Sequence, residues 1–412
     1  MQQRISMDEA RALDRADALA PLRDRFDLPP GVIYLDGNSL GPLQHAVRRR
    51  MADVVAKEWG DGLIRSWNTC DWLDLPSRVG AKIAPLIGAG EGTVTVTDST
   101  SVNIFKLLTA ALAARPGRKV IVTEAGNFPT DLYIADGVAR LHGAGFEVRV
   151  ASRDDLAPAI GDDVAVVLLT EVDYRSGRRH DMAGMTASIH AAGALVIWDL
   201  CHSAGAFPVD LTAANADFAV GCGYKYLNGG PGAPAFAYVA PRHIPGLRQP
   251  LTGWMGHAEP FAFDDAYRPA PTVEALRVGT PPVLALSALD AALDVFTDAD
   301  LAALKAKADA MFDLFAAEVE AACPQLEIVT PRDPSERGNQ IALRFDHAYA
   351  VMQALIARGV IGDFRTPDII RIGFAPLYLR YEDVVQAARI LADVMGTGSW
   401  NQSQFMVRAR VV

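Results

Sequence analysis

Between residues 93 and 240, short runs of β-branched and aliphatic residues alternate with segments of helical periodicity. That alternation predicts a mostly parallel sheet covered by helices on both faces. The expected strands are TVTVT (93–97), KVIVT (119–123), VAVVLLT (164–170), ALVIWD (194–199), DFAVG (217–221) and PAFAYV (234–239). Several are apolar at every position rather than every second one, so both of their faces should be covered. Helices are expected over Val102–Ala114 and Met182–Ala192, with a weaker one after Thr130.

The texture changes near Ala291. A long Ala/Leu/Asp/Lys helical pattern (299–321) leads into LEIVT, QIALRF, a helix near 348–358, IIRIGF and a last helix at 381–395. The chain therefore reads as a large α/β unit over 61–290 and a smaller α+β unit over 291–412. A helical segment over 1–60 should pack on both. The Pro-rich stretch 267–282 has no clear period and should include the crossing between the two units. The closing GTGSWNQSQFMVRARVV is polar, then apolar, and receives no assignment.

Composition narrows the class. With 412 residues, 50% hydrophobic and 21% charged, the chain can bury a sizeable core. A formal net charge of −10 argues against a nucleic-acid partner, and the densest basic run, Arg48–Arg50, lies in a helix-like stretch and reads as a solvated face. Cys70, Cys201, Cys222 and Cys323 are scattered, with no disulfide framework and no metal-ligand spacing. A reducing cytoplasm fits that usage. The amino terminus lacks the apolar core of a secretory signal, and no stretch reaches the roughly 18 apolar residues of a membrane span.

Three short segments carry chemistry. In TDSTSVNIF, a strand end at Thr97 opens through Ser99, Thr100 and Ser101 directly into a helix, whose free N–H groups and hydroxyls could hold a phosphate. The alternative there is an ordinary helix cap. In WDLCHSAGAF, a buried strand ends in Asp199, with His202 three residues on. A carboxylate at that end of a parallel strand faces the ligand crevice, where it would keep a pyridine nitrogen protonated. Capping for Asp199 and a satisfied core position for His202 are the alternatives. In GCGYKYLNGGPG, Lys225 follows a buried strand and precedes a glycine-rich turn. A desolvated lysine becomes the nucleophilic amine that an aldehyde cofactor requires, whereas a lysine snorkelling to water is inert. Tyr226 stands where a dinucleotide fingerprint needs its third glycine, and no P-loop is present.

Phosphate turn, acidic strand end and lysine occur in the order used by pyridoxal-phosphate enzymes of the aminotransferase-like fold, fold type I. Within that group the sequence resembles kynureninase. The resemblance rests on YLDGNSLGP (34–42), EWGDGLIRSWN (58–68), GNFPTDLY (126–133), GWMGH (253–257), RVGTPPVLAL (277–286) and IRIGFAPLY (370–378), together with the three segments above. It implies pyridoxal 5′-phosphate as cofactor and hydrolytic Cβ–Cγ cleavage of L-kynurenine, with 3-hydroxykynurenine as a possible second substrate, to anthranilate and L-alanine.

The resemblance also implies roles. Thr100 and Ser101 would hold the phosphate. Phe128 would stack on the pyridine ring, with Pro129, Thr130 and Asp131 shaping that wall. Thr170 would donate a hydrogen bond beside the ring, Asp199 would meet its nitrogen and His202 its ring oxygen. Tyr224 would bond the phosphate and move a proton, while Lys225 bonds the aldehyde. Arg371 would clamp the substrate carboxylate, and Ser39 and Trp67, with Asn38 beside them, would border the aromatic ring. Trp254 and Thr280 resemble phosphate-contacting residues lent by a second subunit, which implies a homodimer with composite sites. Many relatives carry asparagine in place of Thr280. The rival readings are a cysteine desulfurase or aminotransferase of the same branch, and a catalytically silent dimer of this fold. A desulfurase needs a cysteine on a mobile loop, and Cys323 in AACPQ is the only late candidate.

Overall fold

The computed structural model describes residues 4–408, so Met1–Gln3 of the amino-terminal stretch and residues 409–412 of the unassigned tail lie outside it. Near the amino end, β1 (Ile33–Tyr34) precedes the main sheet. That sheet contains β2 (Val94–Val96), β3 (Val120–Glu124), β4 (Glu147–Ala151), β5 (Val164–Thr170), β6 (Leu195–Asp199), β7 (Phe218–Gly221) and β8 (Phe236–Val239). Its order is β2-β8-β7-β6-β5-β3-β4. Five strands run parallel, from β4 through β7, and β8 and β2 add antiparallel pairs at one edge.

The run VAVVLLT becomes β5, buried at all seven positions, as expected of a strand covered on both faces. In β6, Trp198 is fully buried and its indole N–H donates to Thr186 Oγ1 at 3.1 Å, which ties the strand to the helix Met182–Ala191. The backbone that presents Asp199 is thereby fixed one residue from the end of the strand's apolar run. The sequence pattern missed β4. Its residues, EVRVA, include two charged side chains and bury only Ala151 fully, at an edge where cross-strand pairing holds a strand without an apolar period.

A second sheet, order β12-β13-β10-β9, is antiparallel throughout and comprises β9 (Glu327–Ile328), β10 (Gln340–Arg344), β12 (Asp363–Arg365) and β13 (Ile369–Gly373). β1 pairs in parallel with β11 (Val360–Ile361), and Gly373 N–H donates to the Leu35 carbonyl at 2.7 Å. Chain distant in sequence is thus drawn to the edge of this sheet, and with it the segment 36–39. The long helix Leu301–Ala322 and the helix Tyr381–Thr397 pack on each other behind it.

Candidate active site

The parallel strands β5 and β6 end side by side, with Thr170 paired in register with Asp199. Beyond these carboxyl ends lies a cavity of about 160 Å³ lined by Thr100, Ser101, Phe128, Thr130, Asp131, Thr170, Tyr174, Asp199, Cys201, His202, Tyr224 and Lys225. Ten of these are residues the sequence singled out, drawn from five separate segments. Larger clefts lie elsewhere among the described residues, lined by other groups.

Lys225 reaches inward, its Nζ 3.0 Å from His202 Nε2. His202 is buried, and its Nδ1 has no hydrogen-bond partner. Burial holds the imidazole well below its ordinary pKa, and the positive charges of Lys225, Arg371 and Arg365 push the same way. Asp199 is buried and accepts from the backbone N–H of Cys201 at 2.7 Å. The segment after it continues through turns rather than a helix, so that bond closes a local turn and caps nothing.

A second carboxylate, Asp131, lies beside Asp199 in the same wall. Burial pushes Asp131 well above the usual carboxylate range and the charge of Asp199 adds to it; burial also raises Asp199, against its bond from Cys201. Thr170 Oγ1 lies 2.5 Å from Asn127 Oδ1 and 3.3 Å from Asp131 Oδ2, while Asn127 Nδ2 donates to Asp131 at 3.2 Å. Asn127 was not foreseen, although it precedes the FPTD turn directly. Its amide is the hub of this network, since its Oδ1 also accepts from Phe128 N–H at 2.7 Å.

At the opposite end, Ser99 caps the helix Thr100–Ala114, accepting from Val102 N–H, so its hydroxyl has the ordinary capping role. Thr100 and Ser101 occupy the first helical turn and face the cavity. Lys106, wholly buried in that helix, bonds Asp98 at 2.5 Å and the Leu276 carbonyl at 2.6 Å, which locks the turn in place. The Phe128 ring is 43% exposed and meets Tyr174 edge-on at 5.2 Å, so it forms a wall of the cavity rather than core packing. Pro129 opens the next helix, Pro129–His142. Burial raises the Tyr224 phenol, which therefore stays protonated at neutral pH.

The remaining candidates fall into two other places. Arg371, 1% exposed, is neither a surface ion pair nor a free fork. Its Nε donates to Asp363 Oδ1 at 2.8 Å, its Nη2 to Asp363 and to Ser39 Oγ at 2.6 Å, and its Nη1 to the Tyr174 carbonyl at 2.7 Å. Ser39 thus sits with Arg371, and Asn38 beside it bonds Gln340 Oε1 at 3.2 Å. Asp363 and Arg365, also unforeseen, lie two apart along β12, with Asp363 paired to Arg371 across the strands, a pairing that sequence spacing cannot reveal. Trp67, Trp254 and Thr280 line a separate, mainly apolar cavity of about 560 Å³ with Ile64 and Phe261.

Residues 304–391 match the kynureninase C-terminal domain family. A kynureninase of Burkholderia pseudomallei strain K96243 is 51% identical over 411 residues, covering 98% of this chain and 99% of its own length. The kynureninase of Deinococcus radiodurans is 56% identical over 398 residues, covering 95% and 97%. The chain belongs to the kynureninase family. Among solved structures, an apo cysteine desulfurase from Thermococcus onnurineus superposes with a TM-score of 0.77 over 92% of this chain and 98% of its own, at 17% identity. That likeness describes the shared fold alone.

The cavity of this family member suits pyridoxal 5′-phosphate on its own chemistry. A buried carboxylate, Asp199, with Asp131 near it, offers the acidic partner that a protonated pyridine nitrogen needs. The orphaned Nδ1 of His202 and the helix start at Thr100 supply further polar groups without assigned partners. Asp199 would meet the ring nitrogen, Thr100 and Ser101 the phosphate, and Lys225 the aldehyde carbon.

Proposed function

We propose that this protein is a pyridoxal-phosphate-dependent kynureninase that hydrolyses the Cβ–Cγ bond of L-kynurenine to anthranilate and L-alanine. The observation that carries the reading is Lys225 Nζ held on His202 in the cavity that also contains Asp199. When bound, the cofactor withdraws electrons from the substrate's α-carbon. Lys225 takes and returns protons at that carbon, a role supported by its being the only lysine among the described residues that line the cavity. Tyr224, held protonated by burial, is the donor available to the γ-carbonyl oxygen side. Neutral His202 orients the lysine amine. Arg371 and Ser39 receive the substrate carboxylate at the cavity rim, where the Tyr174 carbonyl links the arginine to the cavity wall.

The same reading makes the enzyme a cytoplasmic homodimer of the kynurenine pathway, in catabolism or in NAD biosynthesis, with no nucleic acid or membrane partner. Trp254, Phe261 and Phe263 form an exposed aromatic cluster, with Phe263 75% exposed, next to the cavity holding Trp67 and Thr280. An apolar patch of this kind favours burial against a second subunit, which supports Trp254 and Thr280 as residues lent across the dimer. The seven-stranded and four-stranded sheets support the division into 61–290 and 291–412, and the pairing of β1 with β11 and the bond from Gly41 N–H to the Tyr224 carbonyl support 1–60 as a segment that packs on both. No helix among the described residues is long and apolar enough to cross a membrane.

A desulfurase reading lacks its nucleophile. Cys323 ends the helix Leu301–Ala322, is buried, and its thiol is pushed up to about 11 by that burial. Incubating the purified, cofactor-loaded protein with L-kynurenine, and in parallel with L-cysteine, tests the proposal. Anthranilate release from the first with no sulfide from the second is expected; the reverse pattern overturns it.

A further inference from the structure

The rim site holds more charge than a carboxylate clamp needs. Around Ser39 Oγ gather Arg371 Nη2 at 2.6 Å, Arg365 Nη2 at 3.2 Å and Asp363 Oδ2 at 2.7 Å. Arg365 also bonds Asp363 at 2.5 Å, so this one carboxylate bridges both guanidinium groups. A second acid, Asp36, lies three residues before Ser39, and its Oδ1 is buried with no hydrogen-bond partner. Nε of Arg365 is likewise buried and unpartnered. The groups facing Asp36 are Asp363 and Arg365 from β12, Arg371 from β13, Ser39, Tyr34, and the phenols of Tyr226 and Tyr378.

Two arginines against two ionised carboxylates leave no net charge for an incoming anion. A third carboxylate would then create a buried net negative site, which is costly in a low-dielectric setting. Protonating one acid removes that conflict. Asp363 is the wrong one, because both arginines and Ser39 hold it in its charged form and lower its pKa. Asp36 has an oxygen free to carry the proton, and burial, together with the charge of Asp363, pushes it up to about 7.

We propose that Asp36 takes up a proton from solvent as the substrate carboxylate joins Arg371 and Arg365, so that carboxylate recognition in this enzyme is coupled to protonation of Asp36. The inference rests on Arg371 being the substrate-carboxylate partner. Asp36 is a positioning residue here: it sets the charge of the cluster and touches no reacting atom. The proton comes from a solvent or buffer acid, whose bond to hydrogen breaks as the Asp36 O–H forms, and no other covalent bond changes.

The experiment uses the holoenzyme and 4-(2-aminophenyl)-4-oxobutanoate, the substrate without its α-amino group, which cannot bond the cofactor aldehyde. Calorimetric titration in buffers of different ionisation enthalpy counts protons bound. Wild type should take up most of a proton per site at about pH 8 and little at about pH 6, with affinity weakening up to about tenfold per pH unit between them. The D36N variant, a stand-in for the protonated acid, should show no uptake and a flat affinity close to the wild-type low-pH value. No uptake in wild type, or the same uptake in D36N, overturns the proposal. Should D36N not fold, the wild-type infrared difference spectrum decides: a protonated-carboxyl band must appear on ligand binding at about pH 8, and its absence refutes the idea. Anthranilate production from L-kynurenine is measured on the same preparation, so a protein that turns over but shows no uptake loses this inference alone.

Discussion

Lys225 Nζ and His202 Nε2 share a 3.0 Å hydrogen bond inside the crevice at the carboxyl ends of β5 and β6. The two residues come from different loops and meet because β6 and β7 are neighbours, with Asp199 paired to Val220 in register. A lysine held on a neutral imidazole is kept from snorkelling to water, and its amine stays where an aldehyde can be reached.

Asp199 should matter through charge more than shape. D199N keeps the size and the acceptor for Cys201 N–H but cannot stabilise a protonated ring nitrogen, so kcat should fall by on the order of 10²–10⁴-fold with a smaller change in KM. D199E should retain part of the activity. Steady-state kinetics on both variants, with cofactor content measured separately, checks this. Near-wild-type kcat in D199N with the larger loss in D199E would mean that the carboxylate acts only by packing.

Much of this site was readable in advance. DLCH, GYK and DSTS each place a chemical group at a strand end or helix start, and local backbone rules carry such groups to the crevice. What could not be read was long-range pairing. Asp363 faces Arg371 because β12 and β13 are antiparallel in that register, and Asp36 joins them because β1 pairs with β11, more than 300 residues away along the chain. No local pattern encodes either meeting. β4 was hidden for the opposite reason, as an edge strand has no need of an apolar face.

The proposed role of Arg371 in binding the substrate carboxylate separates from its structural one. R371A should raise KM for L-kynurenine by about 10- to 100-fold, since a charge-assisted contact to the substrate carboxylate is lost. It should also destabilise the fold by about 3–5 kcal/mol, because Asp363 is left buried without its main partner. The double variant R371M/D363L should recover much of the thermal stability without recovering KM. Calorimetry and kinetics on the three proteins read the two effects independently.

Asp217 offers a pH test far from the active site. Its buried carboxylate accepts from His190, His243, Arg242 and the Val196 N–H, and these bonds outweigh burial to hold it well below the usual carboxylate range. A depressed folded-state pKa stabilises the protein above the unfolded value, near 4, and the contribution fades as pH falls through the folded value. D217N should therefore be less stable than wild type at neutral pH by about 2–4 kcal/mol. The gap should narrow steadily below about pH 4. Denaturation at both pH values measures it.

The aromatic cluster predicts assembly. Replacing Phe263 with aspartate places a charge in the exposed patch beside Trp254 and Phe261. Sedimentation should show dimer in wild type and a shift toward monomer in F263D, accompanied by loss of activity that returns as protein concentration rises. Unchanged sedimentation would remove this face from the interface.

The proposed function requires the ε-amine of residue 225 to be the one that bonds the cofactor aldehyde. Treating the loaded enzyme with borohydride fixes that bond, and peptide mass spectrometry then reports which lysine carries the phosphopyridoxyl mass. The label should fall on Lys225 alone, in the peptide containing GCGYKYLNGG, with the K225A variant unlabelled and lacking the visible absorption of the wild type. A label on any other lysine, or anthranilate production by K225A at the wild-type rate, would contradict it.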